Sequence, residues 1–314
     1  MSAPPWRIVF FGTPSFALPT LQSLLDGRDQ VVGIVTQPDR EKGRGRKVVL
    51  SPVKELALRY GLHPLQPVKA KEEAFQEALR NLQPDLMAVV AYGQILPKSV
   101  LSIPKYGAVN VHASLLPKYR GAAPIAWAIL KGEKVTGVTT MLLDEGMDTG
   151  DILLQTEVPI ADGETCETLH DRLASLGAQL LLETLEKMKA GGVQPVSQDH
   201  SKTTYAPPLK KEDGHVDWKK GAVEIHRQVR AFNPWPGAFT KWGDQLLKIC
   251  TGETRERSPL GKPGTVIWVG SDFIEVETGK NSYLIKEVQL EGRRRMTIRE
   301  FLSGHPIPVG TVFG

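Results

Sequence analysis

The chain has 314 residues, 41% of them hydrophobic and 24% charged, which is typical of a globular protein with room for two domains. Its formal net charge of +4 resides in residues 208–314, where 17 Lys and Arg accompany 13 Asp and Glu, and this asymmetry indicates a polyanionic partner. The first residues lack a secretory signal, and no apolar run approaches the roughly 18 residues of a membrane helix, so we expect a cytoplasmic protein without membrane association.

The first half of the chain alternates short apolar segments with amphipathic ones. The apolar segments predict buried strands at Arg7–Phe11, Val31–Gln37, Leu86–Ala91, Ala108–Ala113 and Val138–Leu143. Helical spacing between them predicts helices at Phe16–Leu25, Pro52–Tyr60, Lys71–Leu82, Pro97–Ser102 and Ala122–Leu130. This alternation predicts an α/β domain built on a Rossmann-like, mostly parallel sheet with right-handed crossovers.

The second half begins with one further predicted strand, Asp151–Ile160, and a long helix, Thr165–Ala190, which we expect to close a first domain of residues 1–190. The Gly-, Pro- and Ser-containing stretch 191–211 predicts a linker. Beyond it, a helical pattern at Ala222–Ala231 precedes short strand patterns at Gln245–Thr251, Gly264–Val269, Phe273–Thr278 and Ser282–Gln289. Short strands at this spacing predict that residues 212–314 form a smaller, OB-like β-barrel domain.

The sequence disfavours two common kinds of site. The turn after the first strand, Gly12-Thr13-Pro14-Ser15-Phe16, lacks the G-x-G-x-x-G fingerprint, and no phosphate-binding P-loop follows, so NAD and ATP sites are not expected. The cysteines Cys166 and Cys250 lie in different predicted domains and outside metal-ligand spacing, so we expect reduced thiols and no metal site.

The most informative stretch reads Asn-Val-His-Ala-Ser-Leu-Leu-Pro-Lys-Tyr-Arg-Gly and begins at Asn110. Side chains alternate along a strand, so Asn110 and His112 share a face near a carboxyl end, where open α/β sheets bind their ligands. An amide can hydrogen-bond a developing oxyanion, and an imidazole can transfer a proton near neutral pH. A polar pair in an apolar strand is more often a satisfied core pair, so these two residues alone leave catalysis open.

A resemblance to a known family favours the catalytic interpretation. The segment Ser114–Gly121, together with Asp144-Glu145-Gly146-Met147-Asp148-Thr149-Gly150, resembles the formyltransferases that use 10-formyltetrahydrofolate as co-substrate. The resemblance implies a catalytic trio of Asn110, His112 and Asp148. It also implies that the folate is bound by Ser114, Leu115, Leu116 and Pro117.

Formyl transfer to an amine is an acyl transfer, which needs an oxyanion donor and a proton acceptor. We expect Asn110 to donate to the oxyanion, His112 to handle the proton, and Asp148 to hold the ring and favour its charged form. Asp-Thr-Gly is also common turn chemistry, and Asp144 and Asp151 are near enough in sequence to compete for the third role. No Ser or Cys nucleophile with a His partner is evident, so direct transfer is favoured over an acyl-enzyme.

The remainder of the folate pocket can be predicted in outline. Leu115, Leu116 and Pro117 make an apolar shelf suited to a flat pterin ring, with backbone groups available to the edge of that ring. We expect Val89–Pro97 and Asp144–Gly146 to supply other parts of the pocket. Arg120 is either a ligand contact or a side chain that anchors its loop.

The segment after the second strand bears on which amine is formylated. It contains two glycines, one acid and the basic residues Arg40, Lys42, Arg44, Arg46 and Lys47. A bare basic run is most often a solvated loop, but this one leaves the sheet at its carboxyl end, where mobile cations can follow phosphates. Its Gln-Pro-Asp-Arg and Gly-Arg-Gly sequences narrow the resemblance to the methionyl-tRNA formyltransferase family, and imply that these five residues bind initiator methionyl-tRNA.

Two alternatives remain open. The same trio could formylate a nucleotide-linked amino sugar or a purine precursor, although a small anionic substrate would not need the basic segment. The chain could instead be a folate- or RNA-binding module without catalysis. The presence of all three residues of the implied trio, Asn110, His112 and Asp148, argues against this alternative. We expect a monomer, although no feature of the sequence sets the oligomeric state.

Overall fold

The computed structural model describes residues 4–42, 47–258 and 261–314, and for residues 40–42 and 47 the backbone only. The chain divides into two compact units. The N-terminal unit comprises Met1–Pro124, Val135–Pro159 and His170–Ala206, and the C-terminal unit comprises Ile125–Lys134, Ile160–Leu169 and Pro207–Gly314. Two segments that precede the predicted linker therefore group with the C-terminal unit, and the predicted domain boundaries stay a prediction.

Strands and helices alternate through the first 190 residues, as predicted. The strands are β1 (Arg7–Gly12), β2 (Gln30–Val35), β3 (Arg40–Lys42), β4 (Lys47–Val49), β5 (Leu86–Val90), β6 (Ala108–His112), β7 (Val135–Leu142) and β8 (Ile152–Pro159). The helices are α1 (Leu18–Leu25), α2 (Pro52–Arg59), α3 (Glu73–Asn81), α4 (Lys98–Leu101), α5 (Pro124–Lys131) and α6 (Cys166–Lys189). Each predicted element is present with slightly shifted ends, whereas the β3–β4 pair lies where the sequence indicated only a loop.

Six of these strands form one sheet in the order β2-β1-β5-β6-β7-β8. The neighbours from β2 to β6 pair in parallel, whereas β7 runs in the opposite direction and pairs antiparallel with both β6 and β8. Apolar content marks a strand as buried but does not encode its direction, so the sequence pattern could not predict this reversal. The predicted Rossmann-like sheet is confirmed, and the strand order reverses between β1 and β5, a position at whose carboxyl ends open α/β sheets generally bind ligands.

Helices α3 and α6 pack on the sheet, and α6 covers one face of β6. Phe75 and Leu79 of α3 join β1 side chains in one apolar core, and a spacing of four residues puts both on one helix face. A buried side chain of this size stabilises the fold by about 1.5–3 kcal/mol. On α6, a Cβ at Gly177 would come within 2.8 Å of the Val111 side chain, so α6 packs closely on that face of β6. The alternate residues of β6 therefore point to the opposite face.

The C-terminal unit is built on a second, antiparallel sheet. Its elements are α7 (Ala222–Ala231), β9 (Ala238–Trp242), β10 (Gln245–Arg255), β11 (Val266–Val269), β12 (Ile274–Glu277), β13 (Ser282–Leu290), β14 (Met296–Thr297) and α8 (Ile298–Leu302). The strand order is β11-β12-β13-β10-β9, with β14 paired to β13. The last residues join the two edges, because Val266 N–H donates to Thr311 O (2.8 Å) and Lys241 N–H donates to Gly314 O (2.7 Å). The predicted small β-domain is confirmed.

The sequence analysis missed β9, β14 and α8, which are short elements. The five-residue helix α8 is capped by Thr297 and Glu300, whose side chains each bind the other residue's backbone N–H. This Thr-x-x-Glu spacing is a recognisable start signal, but five residues are too few to show helical periodicity. In the parts of the chain that the structure describes, no helix has the length and apolarity needed to cross a bilayer.

Candidate active site

Asn110 and His112 lie at the carboxyl end of β6 and are 8% and 6% exposed. Asn110 is flanked by Val89 of β5 and Met141 of β7. Among the described residues, none forms a hydrogen bond with the Asn110 side chain. Its amide donors are therefore available to a group that a ligand brings.

The His112 ring is oriented by a backbone carbonyl. Its Nε2 lies 3.0 Å from the carbonyl oxygen of Tyr119, and because a carbonyl only accepts, Nε2 carries the hydrogen. Its Nδ1 lies 3.7 Å from Oδ1 of Asp148, which exceeds hydrogen-bond length. Tyr119, rather than the expected Asp148, therefore holds the ring, and Nδ1 is the nitrogen left for proton transfer.

Asp148 is held in place by the loop on the other side of the site. The N–H of Gly121 donates to its Oδ2 at 2.7 Å, which leaves Oδ1 facing the imidazole. Its φ of +54° is in the left-handed region, which costs a non-glycine residue about 1–3 kcal/mol when the surroundings impose it. The competing acids are engaged elsewhere: Asp144 accepts from Gly146 N–H and the Thr149 hydroxyl, and Asp151 accepts from the Ser197 hydroxyl.

Two glycines allow these loops to approach other backbone closely. Gly121 has a φ of +119°, and a Cβ there would lie 2.8 Å from the carbonyl oxygen of Ala206. A Cβ on Gly150 would lie 1.8 Å from the carbonyl oxygen of Leu142. Both loops that flank Asp148 are thus fixed by contacts that no larger residue permits.

The predicted folate segment is partly exposed and partly internal. Leu115 is half-buried against Gly137 of β7, and Pro117 is also half-buried, so both retain surface for a ligand. Leu116 is buried, and the Ser114 hydroxyl is fully buried and donates to the Lys118 carbonyl at 2.6 Å. Ser114 and Leu116 shape the loop from inside, and the folate contacts of all four residues stay a prediction.

A second loop at this end of the sheet follows β5, where the sequence predicted further parts of the pocket. The carbonyl of Tyr92 accepts from the Thr13 hydroxyl (2.9 Å) and from the Gln37 amide (3.2 Å), so three loops meet here. The Tyr92 ring is buried, and that burial raises its pKa to about 12. Ile95 is 72% exposed in the same loop.

Sequence reasoning missed Gln198, which lies in the predicted linker. Its Nε2 donates to the carbonyls of Asp148 (2.9 Å) and Gly150 (2.7 Å), and its Oε1 accepts from Nε and a terminal nitrogen of Arg120 (3.1 and 2.6 Å). Arg120 is 3% exposed and also reaches Nδ1 of His200 at 3.3 Å. Arg120 is therefore a loop anchor. No local sequence signal identifies Gln198, because its partners are about fifty residues or more away in the chain.

Two short strands, β3 and β4, lie at the ends of the basic segment; this pair is called the basic hairpin below, and its base is anchored. β3 and β4 pair antiparallel, with Arg40 opposite Val49 and Lys42 opposite Lys47. The predicted tRNA contacts Arg44 and Arg46 lie outside the described residues, as do the side chains of Arg40, Lys42 and Lys47, so this prediction stays a prediction.

The anchor of this hairpin is a polar cluster at Asp39. Nζ of Lys54 on α2 contacts Oδ2 of Asp39 (2.5 Å) and Oε1 of Gln66 (2.6 Å), and the Gln66 amide donates to the other Asp39 oxygen (2.9 Å). The hydrogen bond from Lys54 lowers the pKa of Asp39. The residue that leads into the hairpin is therefore held by two side chains.

The cysteines offer no alternative nucleophile. Cys166 and Cys250 are free thiols, and burial raises the pKa of Cys166 to about 11 and also raises that of Cys250. A raised pKa keeps a thiol protonated at neutral pH, whereas the thiolate is the reactive form. Across the described parts of the chain, His, Cys, Asp and Glu side chains form no group of three or more that could hold a metal ion.

Comparison with known proteins gives the family. The sequence model of the formyl transferase family matches residues 6–185, and that of the formyl transferase C-terminal domain matches residues 208–306. The methionyl-tRNA formyltransferase of Trichlorobacter lovleyi is 53% identical over 98% of this chain and 96% of its own length. That of Acetivibrio thermocellus is 50% identical over 98% of this chain and 99% of its own length.

Solved structures share the fold at lower identity. An N-formyltransferase from Helicobacter canadensis, in complex with folinic acid and dTDP-3-aminofucose, is 20% identical with a TM-score of 0.67, over 91% of this chain and 99% of that one. HypX from Aquifex aeolicus, in complex with tetrahydrofolic acid, is 20% identical with a TM-score of 0.65 over 95% of this chain. The match covers 47% of HypX, so this chain spans about half the length of that protein. Because it is 50–53% identical to the Trichlorobacter and Acetivibrio relatives over nearly its full length, the chain belongs to the methionyl-tRNA formyltransferase family.

Proposed function

We propose that this chain transfers the formyl group of 10-formyltetrahydrofolate to the amino group of methionyl-initiator-tRNA, with Asn110, His112 and Asp148 as the catalytic residues. Relatives that carry the name of this activity are about 50% identical over 98% of the chain. The observation that carries the proposal is the approach of Asp148 to Nδ1 of His112, at the end of the strand that presents Asn110. Of the acids that the sequence left open, Asp148 is the one aimed at the imidazole.

The reaction proceeds by direct attack. The methionyl amine forms a bond to the formyl carbon, whose oxygen becomes an oxyanion. The free amide of Asn110 donates to that oxyanion, a hydrogen bond that contributes on the order of 3 kcal/mol when it is preorganised. The bond from the formyl carbon to the folate nitrogen then breaks, the carbonyl re-forms, and the folate nitrogen takes up a proton.

His112 moves the proton through Nδ1. Because the Tyr119 carbonyl keeps the hydrogen on Nε2, the neutral ring presents the lone pair of Nδ1 to the site. Nδ1 accepts the proton that the attacking amine loses and returns it to the leaving nitrogen. Asp148 stabilises the imidazolium that forms between these steps, since its Oδ1 faces Nδ1 at 3.7 Å.

The folate is bound by Ser114, Leu115, Leu116 and Pro117. The accessible sides of Leu115 and Pro117 offer an apolar surface for a flat ring, while the buried hydroxyl of Ser114 keeps the loop in shape. Tetrahydrofolic acid in the HypX complex and folinic acid in the Helicobacter complex support a folate site on this fold. The co-substrate supplies the formyl group, and the steps described above require no metal.

The tRNA is bound by the basic hairpin and the C-terminal domain. Arg40, Lys42, Arg44, Arg46 and Lys47 contact the acceptor arm, and the excess charge of residues 208–314 attracts its phosphates. We keep the division into a catalytic domain (1–190), a linker (191–211) and a tRNA-binding domain (212–314), which the family matches at 6–185 and 208–306 support. The enzyme works in the cytoplasm, where tRNA is charged and used, and we propose that it works as a monomer.

A substrate-discrimination assay tests this function. The enzyme is incubated with 10-formyltetrahydrofolate and either methionyl-initiator-tRNA or a dTDP-linked amino sugar, the ligand class present in the Helicobacter complex. We expect formylation of the tRNA only. Efficient formylation of the sugar with none of the tRNA would replace the proposed substrate.

The catalytic trio is tested by His112→Ala, with His63→Ala as the control because His63 is exposed and outside the site. His112→Ala should lower kcat by roughly 10²–10⁴ because the proton acceptor is removed, whereas His63→Ala should leave it unchanged. Folate affinity, measured by calorimetry, should be the same in both variants. A His112→Ala enzyme with normal kcat would contradict the mechanism.

A further inference from the structure

We propose that Gln198 is a positioning residue for Asp148 and that Arg120 sets the orientation of the Gln198 amide. The inference rests on the catalytic role proposed above for Asp148 and adds residues that no motif assigns to the reaction. The Gln198 side chain is 5% exposed and is hydrogen-bonded at both ends of its amide.

The orientation of the amide follows from its partners. A guanidinium has donors only, so the atom of Gln198 that faces Arg120 at 2.6 and 3.1 Å must be the acceptor Oε1. The amide nitrogen is then directed at the carbonyls of Asp148 and Gly150, which only accept. Every hydrogen bond is complementary in this orientation, and a flipped amide would place its NH₂ group against a cation and its oxygen against two carbonyls.

The two hydrogen bonds hold a strained segment. Asp148 has a φ of +54°, and the carbonyls on either side of Thr149 both accept from Gln198, so the amide fixes the turn that places the Asp148 carboxylate. On its other side, the carboxylate is bound by the N–H of Gly121, the residue next to Arg120. The loop at 120–121 therefore reaches Asp148 twice, directly through Gly121 and indirectly through Gln198.

Arg120 is itself fixed within the protein. Its backbone N–H donates to the Thr204 carbonyl (2.9 Å) and its carbonyl accepts from Ala206 N–H (2.7 Å). Its buried guanidinium has no carboxylate partner among the side chains that the structure describes, and it binds Gln198 and His200 instead. A buried cation held by neutral acceptors fixes the direction of those acceptors strongly, because charged hydrogen bonds are about twice as strong as neutral ones.

Gln198→Glu is the sharpest test, because the change keeps the size of the side chain and its acceptor toward Arg120. The variant can no longer donate to the carbonyls of Asp148 and Gly150 and places an oxygen against them, which should displace the Asp148 turn. We expect kcat to fall at least about ten-fold, since a displacement of about 1 Å can cost 10²-fold. The KM for tRNA and for folate should stay within about two-fold, because Gln198 touches neither substrate.

Gln228→Glu is the matched control in the other unit. Gln228 is 6% exposed, and its Nε2 also donates to two carbonyls, those of Asp213 and His215, both at 2.9 Å. Both variants should lower the melting temperature, but only Gln198→Glu should lower kcat at a temperature where both are folded. Should Gln198→Glu not fold, Gln198→Met removes the same two donor hydrogen bonds without adding a charge and should show the same decrease in kcat.

Asp148→Asn separates this inference from the proposed function. An inactive Asp148→Asn enzyme beside a Gln198→Glu enzyme with normal kcat would overturn the positioning role and leave the trio standing. An active Asp148→Asn enzyme would overturn the proposed role of Asp148 itself. A Gln198→Glu enzyme with raised KM and unchanged kcat would also overturn the inference, because it would place Gln198 at a substrate.

Discussion

Tyr119 takes part in the site through its backbone carbonyl, so its role does not depend on the chemistry of its side chain. The carbonyl reaches Nε2 of His112, and Tyr119 has a φ of +60°, so the backbone adopts a left-handed turn to present it. Strand alternation was sufficient to predict that Asn110 and His112 share a face. The ring orientation could not be predicted, because it depends on a backbone carbonyl that a left-handed turn presents. The contacts of Gln198 could not be predicted either, because they join segments about fifty residues or more apart in the chain.

At the residue scale, Gly150→Ala should impair catalysis without touching a substrate. The added Cβ would lie 1.8 Å from the Leu142 carbonyl, so the turn that carries Asp148 must move. We expect kcat to fall by about 10²-fold and the free energy of unfolding to fall by about 1–3 kcal/mol. Steady-state formylation and thermal unfolding measure both effects.

Gly163→Ala is the control for this change, since a Cβ at Gly163 has no neighbour within 4 Å. It should keep full activity and a melting temperature equal to or slightly above that of the unsubstituted protein. If Gly150→Ala behaved in the same way, the close approach of the Asp148 turn to the Leu142 carbonyl would have no bearing on catalysis.

At the scale of elements, most of the architecture could be read from hydrophobic patterns. The apolar strands β1 and β5 are buried over nearly their full length, as a continuous apolar segment predicts. The antiparallel pairing of β7 with both β6 and β8 could not be predicted, because pairing direction is decided by the connections and not by composition. The β3–β4 hairpin was missed for a different reason: its strands have three residues each and carry charges typical of a loop.

The anchor of this hairpin leads to a prediction about tRNA recognition. Lys54→Met removes the ammonium that holds Asp39, so the hairpin should lose its fixed base. We expect the KM for methionyl-tRNA to rise about three- to ten-fold with kcat and folate affinity unchanged, because the change affects binding alone. Lys71→Met, which removes an exposed lysine outside this cluster, is the control and should change neither parameter.

The ion pair between Lys54 and Asp39 should make the stability of the protein depend on pH. Lys54 lowers the pKa of Asp39, so the pair stabilises the folded state above the pKa that this carboxyl has when unfolded. That contribution disappears as the pH falls through the lowered pKa of the folded state. The difference in unfolding free energy between the unsubstituted protein and Lys54→Met should therefore be largest near neutral pH and shrink as the pH falls through the lowered pKa of Asp39, as urea titrations can measure. A difference that did not change with pH would show that Asp39 and Lys54 are not coupled.

At the scale of the whole molecule, the excess positive charge resides in residues 208–314, but many of its cations are neutralised locally. Arg255 and Arg257 bind the buried Glu275, and other exposed cations form surface ion pairs. Lys219, Lys220 and Lys280 differ, since they are exposed and form no ion pair among the described residues. Backbone hydrogen bonds from Gly279 to Trp218 and Lys220 bring the three lysines to one corner of the C-terminal unit. Counting charges along the sequence predicted the asymmetry, but not this corner, which requires the pairing pattern.

If this lysine corner binds the phosphates of the tRNA, replacing all three lysines with Gln should weaken binding and its dependence on salt. For every phosphate that the protein no longer neutralises, the log–log slope of affinity against salt should become shallower by about 0.7–0.9. The matched control replaces three ion-paired cations, Lys286, Arg294 and Arg299, with Gln, which changes the net charge by the same amount. Because net charge is equal in the two variants, a long-range field would affect both alike, whereas direct binding of phosphates would flatten the slope of the lysine-corner variant alone. Equal slopes, measured by filter binding from low to physiological salt, would show that the corner acts only through the total charge of the molecule.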